Sequence, residues 1–153
     1  MVAKGEFSEA AGIFLKATEI NPKSPTTLFY LGYSLNKLNY NKAAVTALNQ
    51  AHTLAPASME VLLALGIAER TEGKFADAEK HLLKAKRLTK VNIPDIHWEL
   101  AQLYGLNLKK YKEAVGELEQ YLKAGKYDDE HIKKIKRLIT DFQEKAKNQV
   151  SKN

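Results

Sequence analysis

Cysteine is absent from the 153 residues. Disulfides, thiolate metal sites and a cysteine nucleophile are therefore excluded, although no compartment is selected by that absence. Long apolar runs are missing too. Nothing approaches the roughly 18 consecutive apolar residues of a membrane span, and no basic segment followed by an apolar run opens the chain as a signal peptide would. No G-x-G-x-x-G or P-loop occurs, so no phosphate-cradling loop is expected. The four histidines, His52, His81, His97 and His131, include no pair at H-E-x-x-H spacing, and a metal site is not expected from them. They read as surface or half-buried helix residues. Ser34-Leu35-Asn36-Lys37 matches S-x-x-K, but no S-D-N or K-T-G partner accompanies it, so the match is chance. Asp128 and Asp129 stand at a helix start, where capping accounts for them. The expectation is a non-enzymatic chain with no catalytic residue, no cofactor and no metal.

What is present is ordinary in amount and unusual in arrangement. Hydrophobic residues make up 44% and charged residues 27% of the chain, values of a globular protein and, at this length, of one domain. The formal charge of +6 is uneven: residues 1–76 carry 7 basic and 6 acidic groups, residues 77–153 carry 17 and 12.

The arrangement is a repeat. Leu31-Gly32 returns as Leu65-Gly66, 34 residues later, followed at the same offsets by Ala44 and Leu48, then Ala78 and Leu82. Pro22 and Pro56 share that interval. Leu28, Leu31 and Leu35 fall one turn apart on one helix, and Ala44, Leu48 and Ala51 form the matching stripe on the next. Gly32 and Gly66 permit close approach of the facing helix, at a cost of about 1 kcal/mol against Ala within a helix. Gly73 predicts a positive-φ turn after the first helix of its pair, and Pro56 ends the second.

These residues resemble the tetratricopeptide repeat, a helix–turn–helix unit with the pattern W-x-x-L-G-x-x-Y, A-x-x-x-F, P. One unit reads Leu28, Leu31, Gly32, Leu35, Ala44, Leu48, Ala51, Pro56, and the next Leu62, Leu65, Gly66, Ala78, Leu82, Ala85. A third reads Leu100, Ala101, Tyr104, Ala114, Leu118. The resemblance implies an all-α, right-handed α-solenoid with a C-terminal capping helix. Its parts are a half repeat at 1–22 (second helix only), repeats at 25–56, 59–90 and 94–126, and a capping helix at 127–147. Departures carry their own expectations. Glu69 replaces an aromatic and should be half-exposed. Lys90 and Lys126 replace the closing proline. Asn39-Tyr40-Asn41 replaces the turn glycine, predicting a one-residue slip of register between its helices. The third repeat holds one extra residue between Gly105 and Lys110. Trp98 lies one place beyond the family's tryptophan, where His97 stands, and should point elsewhere.

The two ends read differently. Lys4-Gly5-Glu6-Phe7 matches the turn at Glu72-Gly73-Lys74-Phe75, so Met1 to Ala3 would be the remnant of a first helix. Ala10, Ile13 and Phe14 would then lie open, predicting a piece of a longer protein or, alternatively, self-association through that face. At the other end, Asp128-Asp129-Glu130 cap a helix whose Ile132, Ile135, Leu138, Ile139 and Phe142 form one apolar stripe. Fraying is expected after Lys147.

In a solenoid of paired helices the first helices line the concave side. Offset from the core stripe, Phe29, Tyr33 and Asn36, then Leu63, Ile67 and Arg70, then Trp98 and Gln102 form the expected groove. The core positions are already filled by leucines, so this second apolar stripe reads as a binding surface. The resemblance implies a protein or peptide ligand there. The family's clamp for acidic chaperone C-termini would need Lys, Asn and Arg where this chain has Phe29, Tyr33, Ala64, Asp95 and Glu99, so that partner is not expected. A segment with apolar side chains is expected instead, anchored on Trp98, Phe29 and Tyr33. Two other readings remain: docking or assembly within a larger enzyme or envelope protein, and nucleic-acid binding through a basic convex face. That face comprises Lys84, Lys86, Arg87 and Lys90, Lys109, Lys110 and Lys112, and Lys133, Lys134, Lys136 and Arg137, with acidic residues interleaved.

Overall fold

A computed structural model describes residues 4–151. Among them are eight α-helices, one π-helical turn and no strand, an all-α helical-repeat fold. The remnant helix expected at Met1 to Ala3 lies outside the described residues. Two compact units form, Met1–Leu88 and Thr89–Asn153.

The first unit contains α1 (Lys4–Ile20), α2 (Pro25–Lys37), α3 (Asn41–Leu54), α4 (Met59–Glu72) and α5 (Phe75–Leu88). Local sequence sets each boundary. Ser24 and Ser58, 34 residues apart, cap α2 and α4 by accepting from the amides of Thr27 and Val61 at 3.2 and 3.3 Å. Serine oxygens there satisfy amides that the helix itself leaves unpaired. Pro25 follows at a position where no amide is needed. Gly73 closes α4 at φ 86°, and Asn39 takes the equivalent turn at φ 65°, a conformation asparagine tolerates better than most residues. The amides of Tyr40 and Lys74 then reach back to the Leu35 and Glu69 carbonyls. Helices α3 and α5 start 34 residues apart, at Asn41 and Phe75. The expected one-residue slip does not occur, because Asn39 supplies the turn geometry that glycine supplies at 73.

The leucine and alanine stripes are the core. Ala44, Leu48, Leu62, Leu65, Ala68, Ala78, Leu82 and Ala85 are fully buried. Burial of each leucine is worth about 1.5–3 kcal/mol. A Cβ at Gly32 would stand 2.5 Å from Leu48 Cγ, and one at Gly66 would stand 2.6 Å from Leu82 Cγ. The close approach that the Leu-Gly pair predicts is therefore present in both repeats. Two expectations fail in this unit. Lys4-Gly5-Glu6 is helical within α1, not an interhelical turn; a single glycine costs a helix about 1 kcal/mol and does not break it. Glu69 is buried, 2% exposed, because His81 on α5 meets its carboxylate.

The second unit contains α6 (Pro94–Gln102), a π-helical turn (Leu103–Asn107), α7 (Tyr111–Ala124) and α8 (Asp129–Val150). The extra residue of the third repeat is absorbed in the π turn. There the Leu108 amide reaches the Leu103 carbonyl at 2.9 Å, and Lys110 reaches Tyr104 at 2.8 Å, one residue wider than the matching bonds in the first unit. Ile96, Leu100, Leu103, Leu118, Ile135 and Phe142 are its main buried residues. Asp128 caps α8 by accepting from the His131 amide at 2.7 Å. Of the expected α8 stripe, Ile135 and Phe142 are buried, and Ile132, Leu138 and Ile139 are half-buried. The helix continues to Val150, past the expected fraying at Lys147; Ala146 is buried beneath it and Gln149 donates to the Lys109 carbonyl at 3.0 Å.

Candidate functional site

In the first unit, the predicted groove residues lie on α2 and α4. Tyr33 is 40% exposed. Phe29, Asn36, Leu63, Ile67 and Arg70 are half-buried. The hydroxyl of Thr71 lies 3.4 Å from Asn36 Oδ1. Thr71 follows Ile67 by one turn and Asn36 follows Tyr33 by three residues, so the stripe Leu63-Ile67 runs beside the stripe Phe29-Tyr33.

The aromatic residues of this face are held from behind. The Phe29 ring lies 6.2 Å from Tyr33 and 5.1 Å from Tyr30. Phe7 of α1 meets Tyr33 edge-on at 6.2 Å, and Phe14 stacks on Tyr30 at 5.2 Å. Lys37 Nζ sits 5.3 Å from the Tyr33 ring centre, within cation–π range. Phe29 also packs against two core clusters, one around Leu28, Ala51 and Val61 and one around Val45, Leu48 and Leu65. The reading of Phe29 as a residue that packing does not need is therefore corrected: it supports the core while its edge borders the face. Tyr33, Leu63 and Ile67 carry the accessible surface.

In the second unit, Trp98 and Gln102 are half-buried on α6. Trp98 rests on Tyr121, with ring centres 5.5 Å apart. Tyr121 stacks on Tyr127 at 4.7 Å, Tyr127 stacks on His131 at 4.9 Å, and the Tyr121 hydroxyl lies 3.0 Å from His131 Nε2. Burial, then the adjoining Tyr121, push the Tyr127 hydroxyl above the usual phenol range. Trp98 thus heads an aromatic stack within this unit. Residue by residue, the sequence pattern finds Trp98 and misses Tyr121 and Tyr127, which come from α7 and the turn after it. His97, the neighbour at the family's tryptophan place, is buried.

Two buried polar pairs are the other departure from the sequence reading. Glu69 Oε2 accepts from His81 Nδ1 at 2.7 Å in the first unit. Glu117 Oε2 accepts from His97 Nδ1 at 2.7 Å in the second. His97 is 3% exposed, so its reading as a surface or half-buried residue is corrected; Glu117 satisfies the ring nitrogen that burial would otherwise strand. The signal was present in the repeat alignment: His81 and Glu117 stand where the first repeat has Ala47, and His97 stands where it has Leu28. His52 has a buried Nδ1 with no hydrogen-bond partner among the described residues, and its ring meets His81 edge-on at 5.4 Å. Burial first, then Lys84, His81 and Lys80, hold its pKa below the ordinary histidine value. Among the described residues no group of three His, Cys, Asp or Glu side chains is placed to hold a metal ion. Among them too, no helix is long and apolar enough to cross a membrane.

No established family profile matches the chain. A TPR repeat-containing protein of Methanocaldococcus jannaschii is 28% identical over 124 residues, covering 80% of this chain and 21% of that protein. The chain thus spans about a fifth of that relative's length. A thermophilic TPR protein of Thermus thermophilus superposes with a TM-score of 0.66 at 23% identity, covering 78% of this chain and 66% of the other. A crystal structure of MamA superposes with a TM-score of 0.73 at 19% identity, covering 97% and 93%. These structural likenesses bear on the fold, and the relative's name agrees with the Leu, Gly and Ala positions that recur along the sequence. In sequence and in fold the chain is similar to tetratricopeptide-repeat proteins.

Proposed function

We propose that the α2/α4 face of the first unit binds a protein segment carrying apolar side chains. Tetratricopeptide repeats serve in general as protein-interaction scaffolds, and a scaffold role needs no reacting group. The observation that carries the finer reading is the accessible stripe of Tyr33, Leu63 and Ile67 beside a core already filled by leucines. Contiguous accessible apolar surface of this kind favours a docking role. Tyr33 is pre-oriented by Phe7, Phe29 and Lys37, so little side-chain freedom is lost when a ligand covers it. Trp98 and Gln102 are contact residues of the second unit in this reading, with Trp98 presented by Tyr121.

The test pairs Tyr33→Ala with Ile67→Ala, neither of which is fully buried. Affinity for a bound segment should fall by about 2 kcal/mol or more, with helicity unchanged. Unchanged affinity removes this face from the account.

Helix α1 supports a second reading, self-association. It contains no buried residue, and Ile13 and Ile20 lie exposed two turns apart. Ile13→Glu with Ile20→Glu should lower the sedimentation mass of any dimer; a wild-type chain that sediments as a monomer throughout removes this reading.

A further inference from the structure

The carboxyl-terminal half of α8 and the start of α7 enclose a cleft of about 710 Å³ within the second unit. Its apolar wall is Val115, Ala146 and Val150, and Val150 is 64% exposed. Lys112 and Lys147 stand on its rim. A second cleft of about 340 Å³ shares Lys112, Ala146 and Val150 and adds Lys109 and Lys110, with Glu113 as its acidic lining residue. The loop that carries the added lysines is fixed to α8, because Gln149 Nε2 donates to the Lys109 carbonyl at 3.0 Å. Lys109 itself adopts φ 55°, and it lines the second cleft together with Lys110. A solvated charge run would not require an apolar wall at its centre. Here the one exposed large aliphatic residue of α8 stands among cations contributed by α7, α8 and the loop that precedes α7.

We infer that this α7/α8 edge is a second docking surface, and that its occupant is an acidic protein segment whose apolar side chains cover Val115 and Val150 while its carboxylates meet Lys109, Lys112 and Lys147. Charge complementarity selects the occupant. A basic segment would be repelled by the rim, and an uncharged one would leave the lysines without counter-charges. A nucleic acid would satisfy the lysines and leave Val150 uncovered. Rim charges of this kind act mostly on association rate and partner choice, and the apolar contact holds the complex. The surface is separate from the α2/α4 face of the first unit, so either can fail without the other.

The experiment pans the full chain against a phage library of short random peptides and counter-selects with Val150→Asp. Val150 is exposed near the helix end, so this variant keeps its helicity, which circular dichroism verifies. The expected peptides carry an excess of Asp and Glu around apolar residues. Their affinity should fall more than about tenfold, or about 1.4 kcal/mol, in Val150→Asp and again in Lys112→Glu/Lys147→Glu. It should weaken as salt rises from about 0.1 M to about 1 M, which shortens the screening length from about 10 Å to about 3 Å. Tyr33→Ala should leave it unchanged. Recovery of basic peptides, of none that depend on Val150, or of peptides indifferent to the lysine reversals overturns the inference. So does binding of a single-stranded DNA oligonucleotide that needs Lys112 and Lys147 but ignores Val150→Asp.

Discussion

Glu69 on α4 and His81 on α5 meet at 2.7 Å inside the second full repeat, at positions where the first repeat has Leu35 and Ala47. A carboxylate–imidazole pair thus takes the place of two apolar residues. Removing one partner strands the other in a site with little water, which costs about 1–3 kcal/mol. Glu69→Ala should lower the denaturation free energy of the chain by that amount, read from the urea midpoint. Replacing both partners by their first-repeat counterparts, Glu69→Leu with His81→Ala, should cost less than Glu69→Ala alone, since neither polar group is then left unpaired.

The same logic in the second unit gives a double-mutant cycle. His97→Leu and Glu117→Ala restore the residue types of Leu28 and Ala47 at equivalent places. The two single variants should each destabilise, and the double variant should be more stable than their sum by about 0.5–3 kcal/mol. Additive effects would mean that the 2.7 Å contact contributes nothing specific.

Glycines of opposite sign separate packing from propensity. At Gly66 a Cβ would stand 2.6 Å from Leu82 Cγ, while at Gly116, inside α7, a Cβ meets nothing within 4 Å. Gly116→Ala should stabilise by about 1 kcal/mol through helix propensity. Gly66→Ala gains the same propensity and loses about 1–3 kcal/mol to overpacking, so its net effect should be destabilising. Thermal midpoints of the two variants should move in opposite directions.

His52 sets a pH dependence. Its folded pKa lies below the ordinary value of 6.5. Between the two values the unfolded chain binds the proton that the folded chain refuses, so stability rises with pH across that window. The contribution is complete above the unfolded pKa and is lost as pH falls from about 6.5 toward the folded value. The urea midpoint should therefore drop between about pH 7 and about pH 5, and His52→Gln should reduce that drop. Equal slopes for the two proteins would contradict the assignment.

Most of the repeat was legible because it rests on short-range signals: Leu-Gly pairs at a fixed interval, and stripes at helical spacing. The Gly73 turn and the Asp128 cap follow from residues within one turn of where they act, and the Ser24 and Ser58 caps, equally local, went unread. What was not legible depends on two helices at once. Glu69 looks like an exposed replacement for an aromatic until His81 is opposite it. Phe29 looks dispensable until Tyr30, Val61 and Leu65 surround it. Lys4-Gly5-Glu6 copies the composition of a turn, but these residues are helical in α1, where a glycine costs only about 1 kcal/mol. Of the candidate face, the offset from the core stripe placed Tyr33, Leu63 and Ile67 on accessible positions, while the second unit's Tyr121 and Tyr127 come from elements the offset does not reach.

The central claim is that the α2/α4 face holds a segment with apolar side chains. It is tested most directly by isothermal titration of a peptide selected on the wild-type chain, repeated with Tyr33→Ala/Ile67→Ala at matched helicity. The account predicts a peptide with apolar residues at regular spacing and an affinity loss of about 2 kcal/mol or more, largely independent of salt. An unchanged affinity in the double variant would contradict it.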